Sequence, residues 1–346
     1  MSELLDARGL TVKLPTAAGW IRPVNDVSLR ISAGESLGLV GESGSGKTML
    51  ALALMGLLPE GARVEGEAWL EGEHEALAPV SSKNATRKNL AALSEREWRS
   101  VRGREIAMVF QEPMTSLNPV MRIGAQIEEG VRAHEGHLAS SEVKRRVLEA
   151  LQRASIPEPE SRAAQFPHQL SGGLRQRAMI AMALATQPRL LIADEPTTAL
   201  DVTVQKQILD LLDHLRKELQ LGLLFITHDL GVVAQVADRV AVMYAGRIVE
   251  EGPVKRVLEA PRHPYTQGLL AASPRLQRGA LHPIAGTVPQ LTALPPGCAF
   301  EPRCPLRRAE CVTAVPELRN DSDNHRARCV LVGVPDSVET EFTLKR

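Results

Sequence analysis

The sequence predicts an α/β protein: a mostly parallel sheet held between helices. An antiparallel β subdomain precedes it, a helical subdomain is set into it, and a small cysteine-containing extension follows. Three observations predict this. Apolar runs at residues 37–40, 190–193 and 223–226 each end in a loop, and the first leads directly into an apolar helix. Repeated strand–loop–helix alternation implies parallel strands buried on both faces. Residues 4–36 instead hold β-branched, alternating segments ("LTVKL", "VSLRI") broken by Gly and Pro, which reads as an antiparallel sheet. Finally, all four cysteines of the 346 residues lie between positions 298 and 329.

Composition bounds the class. Hydrophobic residues make up 44% and charged residues 24%, as in an ordinary globular chain. Aromatics reach only 3%, so Leu, Ile, Val, Ala and Met must build the core. A formal net charge of +0 gives no support for general nucleic-acid binding. The start "MSELLDARGLTVKL" has no basic region followed by an unbroken apolar one, so a secretory leader is not expected. The longest apolar run, "AMIAMALA" from Ala178, is far short of the ~18 residues a membrane span needs and reads as a buried helix. A cytosolic protein follows, in which clustered thiols bind metal more often than they form disulfides. The length suits one large domain, 1–275, and a smaller one, 276–346.

Taken in chain order, the first run (Leu37, Leu39, Val40) leads into Gly41-Glu-Ser-Gly-Ser-Gly46-Lys47-Thr48 and then an apolar helix. This is G-x-x-x-x-G-K-T in the strand–loop–helix setting that gives it meaning, rather than a glycine-rich turn. Backbone N–H groups around Gly41, Ser43, Gly44 and Gly46 can curl around phosphate oxygens at a helix N-terminus. Lys47 would reach the β- and γ-phosphates of a nucleoside triphosphate and the Thr48 hydroxyl would ligate Mg²⁺. Residues 73–92 are polar without an apolar period and read as a solvated insertion, with Lys83, Arg87 and Lys88 on its face. A mostly helical block runs from about 112 to 187. Within it "SSEVKRRVLEALQRA" starts on an N-cap-like serine and puts Val143, Val147, Leu148 and Leu151 on one face.

Ser171-Gly172-Gly173 precedes another apolar helix and offers a second anion-binding helix start. With one phosphate loop per chain, that suggests a nucleotide sandwiched between two subunits. The run at 190–193 ends in Asp194 and Glu195, which such a strand end can place on the Mg²⁺ shell and beside an attacking water. Val204, Ile208, Leu211, Leu212 and Leu215 recur at helical spacing. His228 follows the run at 223–226, and "RVAVMYAGRIVEEG" reads as a hairpin turning at Ala245-Gly246.

Over about residues 4–275 these motifs closely resemble the ATP-binding subunits of ABC transporters. The resemblance implies an ATPase. It makes Leu170-Ser171-Gly172-Gly173 the signature motif, which contacts the γ-phosphate held by the opposite subunit. Gln111 matches the Q-loop that touches Mg²⁺, Thr198-Ala199-Leu200-Asp201 the D-loop at the dimer interface, and His228 the switch histidine facing the γ-phosphate. Glu195 is then the catalytic base of a hydrolysis-competent half-site. Two positions depart from the pattern. Leu174 replaces the usual Gln after the signature, and Leu14 stands where an aromatic ring usually stacks on adenine. Trp20 is a candidate substitute for that ring, or simply a loop residue packed on its own domain.

The strings "QEPMTSLNPVMRIGAQI", "DEPTTALDVTVQ" and "HPYTQGLLAASP" resemble the dipeptide, oligopeptide and nickel importer group. That implies a peripheral protein on the cytoplasmic face of the cell (inner) membrane. Its implied partners are a second, non-identical ATPase subunit, two membrane permease subunits and, indirectly, an external solute-binding protein. A groove beside the Q-loop would receive a short permease helix. Nickel or another peptide-like solute is the alternative cargo, and a non-transport ABC ATPase switch the alternative class. The same group has a tail matching "PPGCAFEPRCP". Cys298, Cys304, Cys311 and Cys329 follow C-x5-C-x6-C-x17-C, a set able to hold Zn²⁺ or an iron–sulfur cluster. The absence of C-x2-C pairs and the resemblance both favour [4Fe–4S], with zinc and unligated thiols as alternatives. His282 and His325 are expected on the surface rather than as ligands.

Overall fold

The computed structural model describes residues 3–72, 87–112, 116–198, 200–276, 281–320 and 324–332. Lys83, Ala199 and most of the 73–92 insertion lie outside these residues. Strands β1 (Glu3–Thr16) and β2 (Gly19–Ser32) form a long antiparallel hairpin, and β4 (Arg63–Glu71) and β5 (Arg87–Asn89) extend it in the order β2-β1-β4-β5. Residues 87–89 of the 73–92 segment thus form an edge strand, followed by a 3₁₀ turn at Leu90–Ala92. Arg87 pairs with Glu3 and Asp6, each at 3.6 Å, and Lys88 with Glu105, so neither cation is the free surface charge the composition suggested.

The main sheet is built on β3 (Ser36–Val40), β6 (Ile106–Val109), β7 (Leu190–Asp194), β8 (Gly222–Thr227), β9 (Arg239–Tyr244) and β10 (Arg247–Pro253). Strands β9, β3, β8, β7 and β6 are parallel in that order, and β10 turns back on β9 through Ala245-Gly246. β3 is buried along its whole length. Its alternate residues face different cores: Leu37 and Leu39 pack toward the antiparallel sheet and helix Lys47–Leu54, whereas Val40 packs toward the helical side. Burial on both faces hides the period of two from hydropathy. Gly38 sits under helix Leu230–Val236, where a Cβ would come 2.5 Å from a Val233 methyl.

Helices Ile123–His134, Ser140–Arg153, Pro159–Ala163 and Gly172–Leu184 build the helical block. Val143, Val147 and Leu151 are buried as the spacing predicts, whereas Leu148 is only half-buried. The cap is not: Ala139 occupies the N-cap, and the Ser140 hydroxyl instead accepts a 3.3 Å bond from Arg132. Among the described residues no helix is long and apolar enough to cross a membrane.

The C-terminal residues are joined to the main sheet. β12 (Arg326–Ala327) pairs antiparallel with β10, and β11 (Arg319–Asn320) pairs with β12. His325, expected on the surface, is buried. Its Nε2 lies 2.7 Å from a Glu250 carboxylate that also accepts the N–H groups of Arg262 (2.7 Å) and His263 (2.9 Å). A fully buried carboxylate needs such partners, and the tail supplies one of them. Phe300 is buried in the core shared with the helical side.

Candidate active site

The loop after β3 takes its shape from its glycines. A Cβ on Gly41 would come 2.1 Å from the Met243 carbonyl, and one on Gly46 (φ +107°) would come 1.9 Å from the Pro23 carbonyl. Gly44 (φ +78°) meets nothing within 4 Å, so the loop is packed underneath and open above. Ser43 and Thr48 are exposed on that open side. Lys47 is folded into the loop: its Nζ donates to the carbonyls of Gly41 (2.7 Å) and Glu42 (3.0 Å). Burial pulls its pKa down, against the pull of Glu195, Asp194 and Glu42.

Asp194 ends β7 beneath this loop. Burial raises its pKa, the Thr48 hydroxyl bonds its carboxylate, and its Oδ1 is buried with no hydrogen-bond partner. An orphaned carboxylate oxygen next to a hydroxyl suits a hard divalent cation, so the residues fit Mg²⁺. Glu195 adopts the left-handed conformation (φ +45°), pinned by its N–H donating to Ile226 at 2.9 Å. Its Oε2 gathers Thr198 Oγ1 at 2.9 Å, Gln111 Nε2 at 3.2 Å and His228 Nδ1 at 3.3 Å. The His228 contact first, and Thr198 next, hold the Glu195 pKa below its ordinary value, and Glu195 raises that of His228. An ionised carboxylate braced in this way can orient a water and accept its proton. Thr198 had entered only as part of the interface loop. Its place three residues after a carboxylate in a tight turn was the available signal.

Ser171, Gly172, Gly173 and Asp201 form a separate group. Ser171 caps helix Gly172–Leu184 through the Leu174 N–H (3.3 Å), and Asp201 caps helix Val202–Leu219 through the Val204 N–H (2.9 Å). A Cβ on Gly173 would come 2.8 Å from a Val204 methyl, so the two helix starts are pressed together. Within the described residues no hydrogen bond ties this group to residues 41–48. Trp20 is 48% exposed near the β1–β2 turn, with the Arg63 guanidinium 4.6 Å from its ring centre. Leu14 pairs with Ile21 in the same hairpin. Beside Gln111 lies a cavity of about 730 Å³ lined by Phe110, Met108, Met179 and Met182 among others.

The four cysteines are brought together only in part as a metal site. All line one cavity with His263 and Phe300, none is in a disulfide, and the Cys298 N–H donates to the Cys311 carbonyl at 2.8 Å. That cavity measures about 10 Å³, room for about one water and too little for a cubane. Burial raises the thiol pKa values of Cys298 and Cys329 and pushes that of Cys304 up to about 11. Among the described residues no group of three or more His, Cys, Asp or Glu is disposed to hold a metal ion.

This fold and site define a phosphate-loop ATPase, and comparison with known proteins narrows the class. Residues 24–198 match the family model described as "ABC transporter", and residues 249–311 that of "Oligopeptide/dipeptide transporter, C-terminal region". The chain is 51% identical over 337 residues to a Brucella ovis protein named as a peptide import ATP-binding protein, covering 94% of this chain and 96% of that one. A Brucella abortus protein with the same kind of name is 47% identical over 318 residues, 91% of each chain. Among solved structures, the ATP-binding cassette MJ0796, a dimer in a post-hydrolysis state with ADP and Pi, superposes with a TM-score of 0.61. It is 28% identical, with 72% of this chain and 99% of that one covered. A Clostridium perfringens cbiO1, part of the ABC transporter complex cbiONQ, gives 0.57 at 27% identity, with 75% and 92% covered. The chain belongs to the ABC transporter family, as an ATP-hydrolysing subunit.

Proposed function

We propose that this chain powers the import of di- or oligopeptides, as the relatives' names suggest for those proteins. The observation that carries the catalytic half of this reading is the convergence of Gln111, Thr198 and His228 on Glu195, beside Lys47, Thr48 and Asp194. Lys47 exchanges the carbonyls of Gly41 and Glu42 for phosphate oxygens. Thr48, Asp194 and Gln111 would hold Mg²⁺, which when bound would neutralise charge on those oxygens. Glu195 orients a water and takes its proton, while His228 steadies the carboxylate. Ser171, Gly172, Gly173 and Asp201, which share no hydrogen bond with their own loop among the described residues, serve the phosphate loop of a second, non-identical subunit. The chain works at the cytoplasmic face of the membrane, and the Met-lined groove beside Gln111 receives a helix of one of two permease subunits.

The test is co-expression with candidate permease and ATPase partners. Recovery of this chain from membranes with a multi-span permease supports the reading, whereas a soluble, partnerless chain overturns it. A finer proposal concerns the tail: its four thiols line one cavity, which is too small for [4Fe–4S] as it stands and would have to widen to admit one. About four irons with matching sulfide per chain after anaerobic purification would support it. Zinc or no metal would end it.

A further inference from the structure

The tail does more to the phosphate loop than stand behind it. Arg303 reaches across 261 positions to Glu42, the second residue of the loop. Its Nη1 donates to Glu42 Oε2 at 2.7 Å and its Nη2 to Glu42 Oε1 at 3.1 Å, a two-pronged fork. The remaining donors are also engaged: Nε bonds the Ala285 carbonyl at 2.9 Å, and the two Nη groups also reach Tyr244 Oη at 3.3 Å and the Ile284 carbonyl at 3.4 Å. The Arg303 side chain is 4% exposed. A planar guanidinium with all its donors in use is a rigid strut, not a wandering surface charge.

Glu42 is held on its backbone as well. Its N–H donates to Tyr265 Oη at 2.8 Å, and its carbonyl accepts from Lys47 Nζ at 3.0 Å. Tyr265 is locked in an aromatic group with Tyr244, ring centres 4.5 Å apart, and with the tail's Phe300 at 5.3 Å. The tail therefore contacts the nucleotide loop directly through Arg303 and backs it indirectly through Phe300. A carboxylate is also the wrong charge for a loop that must receive a polyanion, and Arg303 cancels it.

We propose that Arg303 is a positioning residue of the nucleotide site. It fixes the first half of the phosphate loop and neutralises Glu42, so that the tail sets the affinity for ATP over ADP. This rests on the reading that residues 41–48 hold the phosphates. An unpaired Glu42 penalises the more highly charged nucleotide more, which a purely structural prop would not do.

The experiment titrates the full-length chain with ATP and with ADP by calorimetry. Arg303→Ala should weaken ATP about ten-fold and ADP about three-fold, as expected for one unpaired charge near a polyanion. Glu42→Gln, which leaves the Arg303 charge unmatched beside the phosphates, should tighten ATP more than ADP, and Arg303→Ala/Glu42→Gln should recover ATP binding to within about two-fold of wild type. Wild-type affinity in Arg303→Ala, an equal loss for both nucleotides, or a double variant as weak as Arg303→Ala would overturn the proposal. If Arg303→Ala does not fold, Arg303→Lys carries the test. With charge kept and fork lost, it should weaken ATP about two- to five-fold, and no change would overturn the proposal. Lys47→Ala, run alongside, separates the two ideas: ATP binding that survives that change sinks the phosphate-loop reading itself.

Discussion

Replacing Glu195 by Gln tests the catalytic geometry most directly. The amide keeps the size of the side chain, and its carbonyl can still accept the Thr198 hydroxyl now 2.9 Å away. It cannot take a proton from water. Positioned general bases contribute about 10²–10⁴ in rate, or about 2.7–5.4 kcal/mol of barrier. Nothing that holds the phosphates changes, because Lys47, Thr48 and Asp194 stay in place. The expected outcome is phosphate release slowed by about 10²–10⁴ with ATP affinity within about two-fold of wild type. Wild type and variant should be compared as assembled complexes by phosphate release and equilibrium ATP binding. The ATP-bound variant should also persist as a closed dimer on size exclusion. Phosphate release within about three-fold of wild type would refute Glu195 as the base.

Further tests address the groups around it. Asp194→Asn removes the charge from a carboxylate whose Oδ1 has no protein partner, so half-activation by Mg²⁺ should need about ten-fold more metal; an unchanged Mg²⁺ titration contradicts its assignment. The Glu195–His228 pair predicts a pH window. The depressed Glu195 value makes its contribution present above pH 4.5 and lost as pH falls through the folded value; the raised His228 value makes its contribution present below pH 6.5 and lost as pH rises through the folded value. The stability gap between wild type and His228→Ala should therefore be widest between pH 4.5 and 6.5, though small because the histidine is exposed. A pH-independent gap would discount the pair. His325→Ala removes one of three partners from buried Glu250 and should cost about 1–3 kcal/mol in denaturant unfolding; an unshifted midpoint would mean that the tail contact is idle.

The legible parts of this molecule are those where a short stretch dictates its own geometry. Gly41 and Gly46 announce a loop because no other residue fits against Met243 and Pro23. Asp194 and Glu195 mark the end of a buried strand because charge cannot continue into the sheet. Val143, Val147 and Leu151 betray their helix face by spacing alone. What escaped was set by partners far away in the chain. β11 and β12 are two residues each, too short for any period, and their pairing depends on an edge that β10 leaves open. His325 looked like a polar tail residue because nothing near it in sequence shows the buried Glu250 that it meets. Arg303 was one arginine among many until the fold placed Glu42 in front of it. The cysteines were legible as a group, whereas the tight packing around them was not.

The span between Glu42 and Arg303 has a consequence during synthesis. A ribosome adding about 5–20 residues per second needs roughly 13–52 s to cover the 261 positions separating them. Throughout that interval the emerging phosphate loop carries an unmatched acid. The loop reaches its finished electrostatic form only once Arg303 has been made, so a polypeptide broken off before it is left with a nucleotide pocket of the wrong charge.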